Sequence, residues 1–266
     1  MRRSIEYDGV SLQTSTIITQ EIQHESMDSK TLDVERLASR DGAKFLAATF
    51  APKRIRLIGQ IRTTSIDALE DLVDDFKELL NRQGKNLDIE YGTGDAETKK
   101  QRRRYTCNTS QISVLRKHYH NTYVDWEAEF LVADVPFGTD LDTTTATNES
   151  IESIATTAVS FVPTGNYKPN PKITITFTEV AGVDGVQVRN TSTGDLMRVN
   201  VTNEFSDGDV IEIDTALYTC TLNSVAVDYQ GVFPAFRIGG NDLRVAFFNG
   251  VHFKATIKIV YYPLYL

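Results

Sequence analysis

The chain is poor in most of the residues and patterns that announce a chemistry. Two cysteines, Cys107 and Cys220, stand far apart, and neither has a second Cys or a His at metal-ligand spacing. That excludes a disulfide framework and leaves two free thiols. Four histidines are scattered, and His118 and His120 in RKHYHN share a strand face without a third ligand to accompany them. No GxSxG or HExxH occurs, and GTGD at 92–95 lacks the Lys-Thr or Lys-Ser ending of a phosphate loop. The carboxylate pairs Asp207/Asp209 and Glu212/Asp214 lie in SDGDVIEID, where a tight turn and the solvent face of the following strand account for them. With no concentrated nucleophile, base or metal set, the chain reads as a non-enzyme without cofactors.

Long apolar runs are missing too. None approaches the roughly 18 to 20 residues of a membrane-spanning helix, and the opening MRRSIEYDGV lacks an apolar signal region, so no membrane partner is expected. Positive charge is in the minority, 28 Lys and Arg against 36 Asp and Glu, for a net charge of -8. Phosphate binding needs a cationic surplus, so no specific nucleic-acid partner is expected either. What remains is 266 residues of 41% hydrophobic content, enough to bury one large core or two ordinary ones.

One helix is legible within 65–83. Ile66, Leu69, Leu72, Val73, Phe76, Leu79 and Leu80 recur at steps of three and four, Thr64 precedes as an N-cap, and Gly84 follows as a stop. Around it lie strands. RIRLIGQIR puts Ile55, Leu57, Gly59 and Ile61 on one side and Arg54, Arg56, Gln60 and Arg62 on the other. YVDWEAEFLV does the same with Val124, Trp126, Ala128, Phe130 and Val132 against Asp125, Glu127 and Glu129. If these two strands are neighbours, the basic and acidic faces pair across them.

From about 139 to 157 the composition turns to Thr, Ser and Asp and reads as a linker. Beyond it, short alternating strands recur at intervals of about ten residues with Gly, Asn and Asp turns between them, as a β-sandwich requires. The expected organisation is a β-domain with one helix over 1–138, a linker over 139–157 and a sandwich over 158–266.

The order of the motifs carries a resemblance. EYDGVSL, LASRDGA at 37–43, RIRLIGQI, a helix ending in LLN, the threonine-rich linker, TGNYKPNPKITI, a DGD turn and FPAFRIGGNDL together resemble the distal tail proteins of long-tailed phages with non-contractile tails. The resemblance implies a mainly β fold, with an N-terminal β-barrel-like ring domain flanked by one α-helix and a C-terminal galectin-like β-sandwich. It implies a virion structural protein at the tail tip, assembled in the host cytoplasm. Six copies would form a hub ring joining the tail tube protein to the tail-associated tip protein.

On this reading the segment Gln20 to Phe50, turning at SRDG, is an arm or hairpin that reaches a neighbour. Arg40, Asp41, Arg54, Arg56 and Arg62 are then the candidate oligomer interface, the last three lining a channel or pairing with acidic strands. The alternative is a carbohydrate-binding module of an adsorption device. It would recognise a host surface glycan through the C-terminal sandwich, with Tyr167, Tyr218 and Tyr229 as aromatic platforms.

Overall fold

The computed structural model describes residues 4–24, 30–36, 43–91, 101–116, 122–132, 138–141, 144–152, 156–201, 203–250 and 252–265. The chain divides into two compact units, Met1–Leu141 and Asp142–Tyr265.

The first unit holds β1 (Ile5–Tyr7), β2 (Val10–Ser11), β3 (Ile17–Gln23), β4 (Lys30–Arg36), β5 (Ala43–Phe50), β6 (Lys53–Arg62), α1 (Ile66–Leu80), β7 (Lys85–Tyr91), β8 (Gln101–Leu115), β9 (Tyr123–Val132) and β10 (Gly138–Asp140). Its main sheet runs β2-β1-β7-β8-β9-β6-β3, with β10 also on β8. The turning point is β8: its first half, to Cys107, pairs with β7, and its second half, from Asn108, pairs with β9. Two sheets therefore share one long strand. The barrel-like shape expected from the resemblance is met only in part, because the strand order stays open and no closed barrel forms among the described residues.

The alternation read from the sequence is what closes the core. Ile55, Leu57 and Ile61 of β6 and Val124, Trp126, Ala128, Phe130 and Val132 of β9 are all buried on one face. The helix lays Leu69, Val73, Phe76, Leu79 and Leu80 into the same core, with Phe76 4.9 Å from the Trp126 ring. Its N-cap is Ser65, whose Oγ accepts from the Ala68 backbone N–H, one residue later than the Thr64 expected. It also ends sooner, at Leu80 with Asn81 as C-cap. The Tyr7 hydroxyl donates to the Arg82 carbonyl just beyond the C-cap. Gly84, at φ +65°, makes the turn into β7 rather than the helix stop.

The second unit holds β11 (Thr144–Glu152), β12 (Thr156–Phe161), β13 (Lys172–Ala181), β14 (Gly185–Asn190), β15 (Leu196–Asn200), β16 (Val210–Asp214), β17 (Thr219–Leu222), β18 (Val225–Ala226), β19 (Tyr229–Gly231), β20 (Asn241–Phe248) and β21 (His252–Tyr261). They form two sheets, β11-β21-β13-β16-β17-β18 and β12-β20-β14-β15-β19, each antiparallel throughout. One core fills the space between them, built from Val159, Phe177, Val186, Ile211, Val245, Ile257 and their neighbours. This is the sandwich the strand spacing called for.

The stretch 139–157, read from its composition as a linker, carries β10, β11 and the start of β12. A threonine-rich sequence without large apolar residues still suits a strand at the margin of a sheet, because β-branched threonine fits the extended backbone. β11 is such a margin, paired among the described residues with β21 alone.

Candidate functional site

The face of the first unit's sheet that points away from α1 carries the charged side chains of β6 and β9. Arg54 Nη1 lies 2.8 Å from Glu129 Oε1, Arg56 Nε lies 2.5 Å from Glu127 Oε1, and Gln60 donates to Asp125 at 2.8 Å. The two ion pairs are diagonal, since Arg54 sits directly opposite Leu131 and Arg56 opposite Glu129. Arg62 donates instead to the Gln60 side chain. The Arg56 hydrogen bond holds the Glu127 carboxyl below the ordinary glutamate range, and the same bond pushes the Arg56 guanidinium up. Thus the basic and acidic faces foreseen in the sequence meet within one sheet.

Both flanks of this sheet end without a strand partner among the described residues. β3 is the last strand on one side, bonded only to β6, although the Leu12–Thr14 turn hydrogen-bonds to its first half. On the other side, the second half of β8 pairs with β9, while its far edge, past the end of β7, meets no strand. Four strands in the order β8-β9-β6-β3 thus present two open edges, facing in opposite directions.

β4 and β5 form a two-stranded sheet of their own that pairs with no other strand among the described residues. Leu32 (59%), Val34 (52%) and Leu46 (48%) are exposed on it. A lone hairpin is marginally stable in water, and this one displays apolar side chains where a monomer would place polar ones. Its position is that of the arm expected from Gln20 to Phe50. Arg40 and Asp41, proposed at its tip, lie outside the described residues.

The second unit brings two of the three tyrosines together. Tyr218 and Tyr229 both meet the buried Phe233 ring, with centroids 5.6 and 4.9 Å away and planes at 88° and 70°. Tyr167 is elsewhere: half-buried, with Lys168 Nζ 6.0 Å from its ring, in the segment whose backbone bonds to Leu264. Leu217, next to Tyr218, and Val232, next to Phe233, are exposed as well, and Val225 is exposed opposite Leu222 at the far end of β17. The sequence signal for this patch was present in LYTCTLNSVAVDYQGVF, where apolar residues interrupt turns that are otherwise polar.

Neither thiol fits a reactive site. Burial pushes Cys107 up to about 12 and Cys220 up to about 11. Among the described residues no three His, Cys, Asp or Glu side chains gather into a group that could hold a metal, and His118 and His120 lie outside those residues.

Comparison with known proteins bears on the fold. Residues 164–265 match the family model of the siphovirus-type tail component, C-terminal domain, SPP1_Dit. In fold the chain is similar to the phage SPP1 Dit (gp 19.1) protein, a paradigm of the hub adsorption apparatus in phages infecting Gram-positive bacteria, at 14% identity and a TM-score of 0.71 over 100% of both chains. Chains of the phage p2 baseplate in its activated conformation, with Ca and with Sr, are similar at 10% and 8% identity, with TM-scores of 0.47 and 0.46 over 98% of each chain. No curated protein matches. The resemblance drawn from the motif order is borne out: most of the C-terminal unit matches the siphovirus-type tail-component model, and the chain as a whole is similar in fold to the SPP1 Dit protein.

Proposed function

We propose that this chain, with its siphovirus tail-component domain on a distal tail protein fold, is a structural hub protein of a phage tail tip. Six copies close into a ring in the virion, assembled in the host cytoplasm, that joins the tail tube protein to the tail-associated tip protein. The number six follows the resemblance. The closure itself is supported by one observation, the four-stranded sheet β8-β9-β6-β3 with its two open edges.

Open edges are a liability that a stable protein covers. When the free edge of β3 pairs with the free second half of β8 in the next copy, the contact is head-to-tail, and such contacts generate a ring wherever the rotation closes. The β4–β5 hairpin adds a second contact by laying Leu32, Val34 and Leu46 against the neighbour. Its strands of 7 and 8 residues reach roughly 25 Å, enough to cross a subunit boundary.

The ring then turns the face opposite α1 toward its opening. Arg54, Arg56 and Arg62 meet Glu21, Asp125, Glu127 and Glu129 there, three cations against four anions. DNA passing such a face finds no cationic surplus to hold it, so passage is not stalled.

Cysteine cross-linking tests this closure. Glu21 on β3 and Ser113 on β8 lie in one lateral row, through Ile58 and Glu127, three strand spacings apart. That is about 14 Å, too far for a disulfide within one copy. Cysteine pairs drawn from Glu21 or Gln23 with Gln111 or Ser113 should therefore give a ladder ending at six chains under oxidation. Light scattering should give six times 29.8 kDa for the unmodified protein. A monomer at every concentration, with no ladder from any pair, would overturn the reading.

A further inference from the structure

The margin of the second unit where both sheets end has features that the hub reading does not use. β18 is the last strand of one sheet and β19 the last of the other, and the chain passes directly from one to the other. Leu217 (70%), Tyr218 (69%), Val225, Tyr229 and Val232 stand exposed on β18, on β19 and in the turns beside β17 and β19, the two tyrosines against the buried Phe233.

Tyr218 carries the argument furthest. It occupies the turn between β16 and β17 at φ +54°, a conformation that suits glycine or asparagine and penalises a bulky side chain. The Asp214 carboxylate accepts from the Ala216 and Leu217 backbone N–H groups at 2.9 and 3.0 Å and fixes that turn. The chain thus holds an aromatic side chain in solvent at a strained position, beside an equally exposed leucine. Nothing in the packing of the second unit requires Leu217 to be there.

Charge narrows the partner. From 199 to 236 the sequence contains six carboxylates and no Lys or Arg. One of the six, Glu212, is matched by Lys172 at 2.8 Å, and Arg198 of β15 sits opposite Gln230 of β19, which leaves four carboxylates in excess. Five side chains also fall short of the ~800 Å² per partner that a stable complex buries, so an occupant must lay backbone along the margin as well. Among the described residues no strand pairs with the outer edges of β18 and β19, and these offer backbone groups for that purpose.

We propose that this margin docks an extended segment of a partner protein by strand addition, the segment carrying alternate apolar side chains and flanking Lys or Arg. Tyr218 and Tyr229 are its anchors, as exposed aromatics over an apolar floor are at other interfaces. The aliphatic share of the patch, Leu217, Val225 and Val232, favours a peptide over a sugar ring. This inference stands on the second unit alone and holds whether or not the first unit closes a ring.

The test is selection of a random peptide library on the full-length protein, set against a Tyr218→Asn, Tyr229→Ala double variant. Asparagine tolerates the left-handed backbone, so this variant should keep the melting temperature of the parent and separate binding from folding. The expected result is enrichment of alternating apolar peptides with basic flanks. They should bind the parent roughly tenfold or more tightly than the variant, as loss of anchor aromatics requires, and weaken as salt is raised. Absence of any enriched peptide that distinguishes the two proteins would overturn the proposal. So would binding of a panel of neutral hexasaccharides that is lost in the same variant, which would make the patch a sugar site.

Discussion

Gly59 and Trp126 face each other across β6 and β9, and the indole occupies the space a side chain at 59 would need. A Cβ there would come within 2.6 Å of the Trp126 ring and 2.2 Å of the Ile18 carbonyl oxygen on β3. Gly59→Ala should therefore cost about 1 to 3 kcal/mol, the range for overpacking a filled core, and should displace β3 at the sheet edge. Urea denaturation followed by the single tryptophan measures it. An unchanged midpoint would mean that β3 moves aside freely.

The Arg56–Glu127 pair predicts a pH dependence of defined sign. Arg56 holds Glu127 below the ordinary glutamate range, so the folded protein takes up this proton less readily than the unfolded chain. The contribution is complete above the unfolded value and is lost as pH falls through the depressed folded one. Glu127→Gln should remove that contribution and flatten the acid side of the stability curve while leaving the neutral and alkaline sides parallel to the parent. Thermal melts across an acid series decide it. A curve of unchanged shape would show that the pair carries no linkage.

A buried amide network holds the FPAFRIGGND segment in place. Asn241 donates to the Arg237 and Gly239 carbonyls at 2.9 and 3.1 Å and accepts from the Arg237 backbone N–H at 3.1 Å and from Asn190 Nδ2 at 3.2 Å. Asn190 in turn donates to the Ala235 carbonyl at 2.7 Å. Asn241→Ala leaves the fully buried Asn190 amide short of one partner and frees the Arg237 and Gly239 groups to water, and should cost about 1 to 3 kcal/mol in the second unit. Chemical denaturation reads the loss directly, and a change below about 1 kcal/mol would mean that water replaces the amide.

The thiols report on each unit separately. Cys107 belongs to the first core and Cys220 to the second, both buried with pKa pushed up to about 12 and about 11. Native protein should leave both unreacted by an iodoacetamide pulse at neutral pH, and each should label when its own unit opens. Mass spectrometry of the labelled peptides along a urea series distinguishes one cooperative transition from two. Rapid labelling of Cys107 in native conditions would contradict its burial.

The alternation of RIRLIGQIR and YVDWEAEFLV was enough to place both strands, their inward faces and their opposite charges, because a period of two fixes which side chains share a side. The seven-residue apolar stripe likewise placed the helix, though its ends moved. The cap at Ser65 rather than Thr64 is a local choice between two neighbouring hydroxyl residues, settled by which one reaches the Ala68 N–H, whereas the Tyr7 hydroxyl on the Arg82 carbonyl just past the helix is a contact that no local pattern contains. The margin strand β11 was hidden for a related reason: its threonine-rich sequence gives no apolar signal, and only its ladder to β21 makes it a strand.

By itself, then, the sequence determined the β class, the helix, the sandwich and the distal tail resemblance, all of which rest on periodicity and motif order along one chain. Tertiary structure alone decided that β8 changes partners at Cys107, leaving one edge of its second half without a strand among the described residues, and that the exposed Tyr218 and Tyr229 converge on Phe233. Edges and patches are relations between residues distant in sequence. They come into being only when the hydrogen-bond ladders are closed, so spacing along the chain cannot encode them in a readable form.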